Sequence, residues 1–154
     1  MLFRSGKPTF YFGDGGNFQA GWLATSNSSI PVNEWAHIAA VFNQGVGTLW
    51  INGVVESTVM GPSTVNPGFA PLRLAADGES GLTGNCLDGD LAMPAIYGRA
   101  MEASEIHTRA NTKAPVIPPS AGLLGCWPMI EENGKVLTDL SPFGRAGQII
   151  NCAT

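Results

Sequence analysis

Residues 35–56, WAHIAAVFNQGVGTLWINGVVE, constrain the fold of this chain more than any other stretch. Residues 35–42 form an apolar run of strand length, and residues 48–51 form a second beyond a Gly-bearing connection. Asn52-Gly53 then calls for a tight hairpin, because both central positions of a type I′ turn need positive φ, which Asn and Gly tolerate best. Residues 54–56 are therefore predicted to return beside residues 49–51. The segment encodes antiparallel strands and offers no catalytic group.

Composition agrees with that beginning. A chain of 154 residues with 44% hydrophobic and only 13% charged residues is long and apolar enough for a single core. Twenty Gly and eleven Pro, with only one helical pattern, indicate many short strands and turns, and hence an all-β class. The net charge of −4 comes without a basic cluster, which argues against nucleic acid as a partner. No apolar run approaches the about 20 residues of a membrane span. No apolar signal-peptide core is present either, so a cytoplasmic location is expected. Cys86, Cys126 and Cys152 lack metal-ligand spacing and are expected to be buried reduced thiols, the alternative being one disulfide and one free thiol.

Further strands are predicted at residues 9–12 and 18–23, around a turn built from Asp14, Asn17 and glycines. Others are expected at 72–76, 87–97, 122–129 and 147–151. Between Met101 and Ala110 the period changes: Met101, Ile106 and Ala110 share one face while Glu102, Glu105 and Arg109 face water, which predicts one short helix. The prolines of residues 114–120 then block helix and favour an extended linker.

Taken in order, WAHIAAVF, GTLWINGVV, LRLAADG and LDGDLAMPAIYGRAMEASEI resemble the laminin-G-like, concanavalin-A-like lectin domains. That resemblance implies a jelly-roll sandwich of two antiparallel sheets with one short helix. It spans roughly residues 9–110, so a core of 6–112, a linker at 113–121 and additional strands at 122–154 are expected. Those last strands would either complete the sandwich or lead into a following domain. Residues 1–5 fall outside the pattern, and Leu-Phe-Arg-Ser at residues 2–5 matches one reading frame of a common sequencing adapter. Authentic sequence is therefore expected from Gly6, with a preceding strand missing and a sheet edge left unpaired.

The C-terminal GLLGCWPMIEENGKVLTDLSPFGRAGQIIN is similar to the stretch with which such domains open. It also resembles part of the lectin-like domain within the large subunit of bacterial N,N-dimethylformamidases. That family's iron site, two tyrosines and a glutamate in a later domain, has no counterpart here, since Tyr11 and Tyr97 are the only tyrosines and both lie in strand patterns.

Three sets of candidate site residues emerge. Asp77, Glu79 and Asp88, with Asn85 and Asp90 nearby, could supply hard oxygens to calcium at a loop rim, although the spacing fits no fixed calcium motif and solvated loops are the ordinary alternative. Trp22, Trp50 and Trp127 could stack on sugar rings, Trp22 and Trp127 being the preferred pair, against the ordinary role of strand tryptophans in a core. Ser104 and His107 lie one helical turn apart without a nucleophile elbow, and His37 is expected to be satisfied within the sheet.

The resulting expectation is a non-catalytic accessory module of a larger bacterial enzyme resembling N,N-dimethylformamidase, an amidohydrolase acting on N-substituted formamides. Its partner would be a neighbouring domain or subunit, and it would need no cofactor beyond calcium. The alternative is a carbohydrate-binding module of a secreted protein, with a glycan as ligand.

Overall fold

The computed structural model describes residues 6–14, 22–66, 71–76, 86–112, 120–131 and 134–150, together with the backbone of 2–4. The fold is all-β, antiparallel throughout the described strands, with one helix. It falls into two compact units that interleave in sequence, residues 1–70 with 100–114 and residues 71–99 with 115–154.

In the first unit, β1 (Leu2–Arg4), β2 (Lys7–Tyr11) and β3 (Leu23–Thr25) form one sheet, and β4 (Ile38–Asn43), β5 (Val46–Ile51) and β6 (Val54–Met60) form another, each in sequential order. β1 is built from residues expected to lie outside the fold, with Leu2 opposite Thr9 and Arg4 opposite Lys7. Two-residue hairpins join β4 to β5 and β5 to β6. Asn52 and Gly53 have φ of 50° and 79°, and Gln44 and Gly45 have φ of 46° and 87°, so both turns carry the paired positive φ that matches strand twist. The first of these turns was legible as Asn-Gly; the second was hidden by Gln at its first central position.

Alternation along β5 decides what is buried. Gly47, Leu49 and Ile51 face inward, whereas Val46, Thr48 and Trp50 are half-buried on the opposite face. Phe12 lies against the inward face, where a Cβ at Gly47 or Gly61 would come within 2.1 Å and 2.3 Å of its ring. Phe42 and Phe10 flank it with ring centroids 4.8 Å and 5.5 Å away. Ala24, Leu49 and Ile106 are fully buried and complete the apolar core of this unit. Ile106 comes from helix α1 (Ala103–Asn111), which begins two residues later than expected because the Glu102 N–H is taken by the Glu105 carboxylate at 2.8 Å.

In the second unit, β7 (Ala95–Tyr97) pairs with β8 (Leu123–Cys126), and β9 (Val136–Leu137) with β10 (Gly147–Gln148). The β7–β8 pairing explains why residues 71–99 group with the C-terminal segment. Two expected strands are absent or shortened. Residues 72–76 do not form one, because Ala75 turns to φ 60° and its carbonyl accepts from Leu87 N–H at 2.8 Å. The strand expected at 87–97 is confined to 95–97, since Met93 adopts φ 51° and Pro94 has no N–H to donate.

A carboxylate organises this second unit. Asp139 Oδ1 accepts from the N–H groups of Cys126 and Ser141 at 2.8 and 2.9 Å, and Oδ2 from Ser141 Oγ and Arg145 N–H at 2.6 and 2.7 Å. Burial alone would raise its pKa, but the Ser141 hydroxyl and these backbone donors outweigh that and bring it down to about 2. Trp127 is buried beside this knot, 6% exposed, with its ring over Gly125 and its indole N–H donating to the Arg145 carbonyl at 2.9 Å.

Two outcomes test these packing arguments. Gly47→Ala is expected to destabilise by about 1–3 kcal/mol through overpacking, more than the roughly 0.5–1 kcal/mol that Ala gains over Gly in a strand. In a Phe12→Leu background urea titration should show most of that penalty gone. Asp139→Ala is expected to cost about 2–4 kcal/mol by stranding buried donors. Because the folded pKa lies below the unfolded 3.8, the Asp139 contribution is complete above pH 3.8 and is lost as pH falls toward about 2. Asp139→Asn should therefore flatten the acid limb of Tm against pH.

Candidate functional site

The first unit holds a cleft of about 310 Å3 on the outward face of the β4–β5–β6 sheet. Trp50 and Thr48 from β5 and Val41 and Asn43 from β4 form its floor, and Met101 and Glu102, just before α1, form a wall. The register explains the grouping: Val41 lies opposite Thr48 and Asn43 opposite Val46, so their side chains share one face. A bulge at Leu49/Trp50 interrupts the pairing with β6 beside the tryptophan. The cleft therefore offers one aromatic side chain, an amide, a hydroxyl and a carboxylate, a mixed polar and apolar lining suited to a small polar ligand.

The candidate tryptophans separate clearly. Trp127 is buried as a packing residue and presents no face to a ligand, so its expected sugar-stacking role is not supported by its placement. Trp22 is half-buried with its ring edge beside Gly13, away from the residues lining the cleft. Trp50 is the one of the three that lines the cleft. Trp35, expected inside a strand, is 70% exposed, because β4 begins only at Ile38.

Asp77 and Glu79 lie outside the described residues. Asp88 is exposed, and among the described residues no three His, Cys, Asp or Glu side chains come together as a metal site. Ser104 and His107 are both exposed on α1, where the His107 ring nitrogens lie 3.3 and 3.4 Å from Asn111 Nδ2. The expectation for the cysteines is corrected in one respect: Cys126 is a buried reduced thiol, but Cys86 is disulfide-bonded and exposed.

His37 also differs from expectation. Its backbone is satisfied, since its N–H donates to Asn52 Oδ1 at 2.9 Å and its carbonyl accepts from Asn52 N–H at 2.8 Å. Its ring is not: Nδ1 is buried without a hydrogen-bond partner, as is the indole nitrogen of Trp50. Burial first, and the Arg109 guanidinium second, hold this imidazole below the usual 6.5. Sequence reasoning missed the cleft, which depends on where the residues before α1 return to the sheet, and it did not foresee that the His37 ring stays unsatisfied.

Among the described residues the strands form antiparallel sheets with one short helix, an architecture consistent with a concanavalin-A-like all-β fold. Residues 1–107 match the laminin-G family model described as Concanavalin A-like lectin/glucanases superfamily, and the chain belongs to that family. The match starts at residue 1, so residues 1–5 fall within the family pattern rather than outside it. No curated protein and no solved structure matches the chain. None of the described helices is long and apolar enough to cross a membrane.

Proposed function

We propose that this chain is a non-catalytic laminin-G-like binding module whose ligand site is the cleft over Trp50, and that its ligand is a neutral carbohydrate. The observation that carries this reading is the composition of the cleft. A half-buried indole suits the apolar face of a pyranose, and Asn43, Thr48 and Glu102 surround it with the amide, hydroxyl and carboxylate that recognise sugar hydroxyls. The Cys86 disulfide favours the same reading, because disulfides persist in oxidising compartments and are rare in the cytosol.

A second reading has its own support. The C-terminal segment exposes Ile130, Val136, Phe143 and Ile150 at 77%, 60%, 54% and 72%, more large apolar surface than an isolated module needs. Those side chains would suit an accessory domain of a larger bacterial enzyme resembling N,N-dimethylformamidase, seated on a neighbouring domain or subunit.

A glycan array followed by calorimetry separates the two. On the carbohydrate reading binding is saturable, nearly independent of salt because no ion pair is required, and weakened at least about tenfold by Trp50→Ala. Trp127→Phe should leave any binding intact while lowering stability through loss of the indole hydrogen bond to Arg145. The absence of binding to every glycan, with folded protein, would discard the carbohydrate reading and leave the contact role.

A further inference from the structure

Helix α1 rests on the tip of the β5–β6 hairpin with almost no clearance. A Cβ added at Gly53 would lie 3.2 Å from Ala110 Cβ and 3.3 Å from His107 Cα, so glycine serves here both the turn, at φ 79°, and the close approach of the helix. The same tip is tied to the residue entering β4 by the reciprocal pair of hydrogen bonds between His37 and Asn52. His37 thus stands where the start of β4, the hairpin tip and the helix meet. Its ring nitrogen Nδ1 is buried and has no acceptor or donor.

We propose that His37 is an acid-sensitive latch, holding α1 on the Asn52–Gly53 tip while its imidazole is neutral and loosening that contact when the ring takes up a proton from solvent. Protonation turns both ring nitrogens into donors and adds a charge in a place that gives Nδ1 no acceptor. From α1, Arg109 faces the ring with a charge of the same sign. His107, exposed, lies against Gly53 on the face of the helix that meets the hairpin tip. Glu102 precedes the helix and Glu105, one turn before Arg109, lies in its first turn, where the Glu105 carboxylate accepts from the Glu102 N–H. The hairpin supplies only the neutral Asn52 and Gly53, and Glu34, in the approach to β4, is exposed. With no hydrogen-bond partner at Nδ1 and a like charge on Arg109, the cheapest response to a proton is for the helix to lift away and let the ring reach water. Met101 and Glu102, which wall the cleft, lead directly into that helix.

The sign follows from linkage. The closed form holds His37 below 6.5, and the open form titrates near 6.5. Above that pH both forms are neutral and the latch is at full strength. As pH falls from 6.5 toward the lower, closed-state value, the open form binds the proton first and the contact weakens. Once pH is below the closed-state value the loss is complete.

The test follows His37 by the NMR shift of its Cε1–H and α1 by amide exchange at residues 106–110, corrected for intrinsic exchange, from pH 7.5 to 4.5. Protection of the helix is expected to fall with the His37 transition, by up to about tenfold for each pH unit between the two midpoints. His37→Phe, an uncharged ring of similar size, should hold protection constant across the range. Arg109→Gln should move the transition upward, and His107→Gln should leave it in place. The proposal is overturned if His37 titrates without any change in helix protection, or if the His37→Phe variant loses protection on acidification as the native chain does. Should that variant not fold, a midpoint that ignores Arg109→Gln but moves with His107→Gln overturns it equally.

Discussion

The ring of Phe12 fits against the β4–β5–β6 sheet only because two positions beneath it have no side chain. With any Cβ at Gly47 or Gly61 the ring would be displaced, and with it the contacts to Phe42 and Phe10 that carry apolar packing between the two sheets of the first unit. The hairpins serve that contact. Two turns with paired positive φ fix the register of β4, β5 and β6, and a slip of one residue would exchange Gly47 and Leu49 for Val46 and Thr48 on the buried face. The outward face, and so the cleft over Trp50, is the complement of the same choice. Core and candidate site are two sides of one register.

That dependence explains which parts of the molecule were legible in the sequence. Asn52-Gly53 declared its turn, the alternation around Leu49 declared the strand, and the spacing of Met101, Ile106 and Ala110 declared the helix to within two residues at its start and one at its end. Each is a local property of a few neighbours. The strands expected at 72–76 and 87–97 failed for an equally local reason that composition conceals, a left-handed backbone at Ala75 and at Met93, where non-glycine residues rarely go. The family pattern was readable as an ordered set of motifs, although its start was placed too late, since the match includes residues 1–5.

The candidate site was harder to read because its parts are distant in sequence. Trp50 and Glu102 are brought to one cleft only by the return of the segment before α1. Trp127, which was preferred to Trp50 from the sequence, is consumed by packing over Gly125 and by its hydrogen bond to Arg145. Strand position alone does not tell a ligand-facing tryptophan from a core one. What distinguishes them is the neighbour two residues back on the same strand face: Gly125 beneath Trp127, and polar Thr48 beside Trp50.

Buried polar groups are treated in opposite ways in the two units, and the contrast says where each is rigid and where it can respond. Asp139 meets four donors with its two oxygens, so it stays ionised down to about pH 2 and acts as a fixed knot for β8 and the 139–145 turn. That the Asp139 carboxylate ties together residues up to 13 positions away in sequence follows from the burial of the segment. His37 is the reverse case, a ring with a buried nitrogen that nothing satisfies and a guanidinium nearby. A satisfied carboxylate adds stability across the whole neutral range, whereas an unsatisfied imidazole adds it only on the alkaline side of its own transition. On the latch proposed for His37, the helix that follows the cleft wall is held by an acid-sensitive contact, while the tether of the second unit is indifferent to the same change of pH.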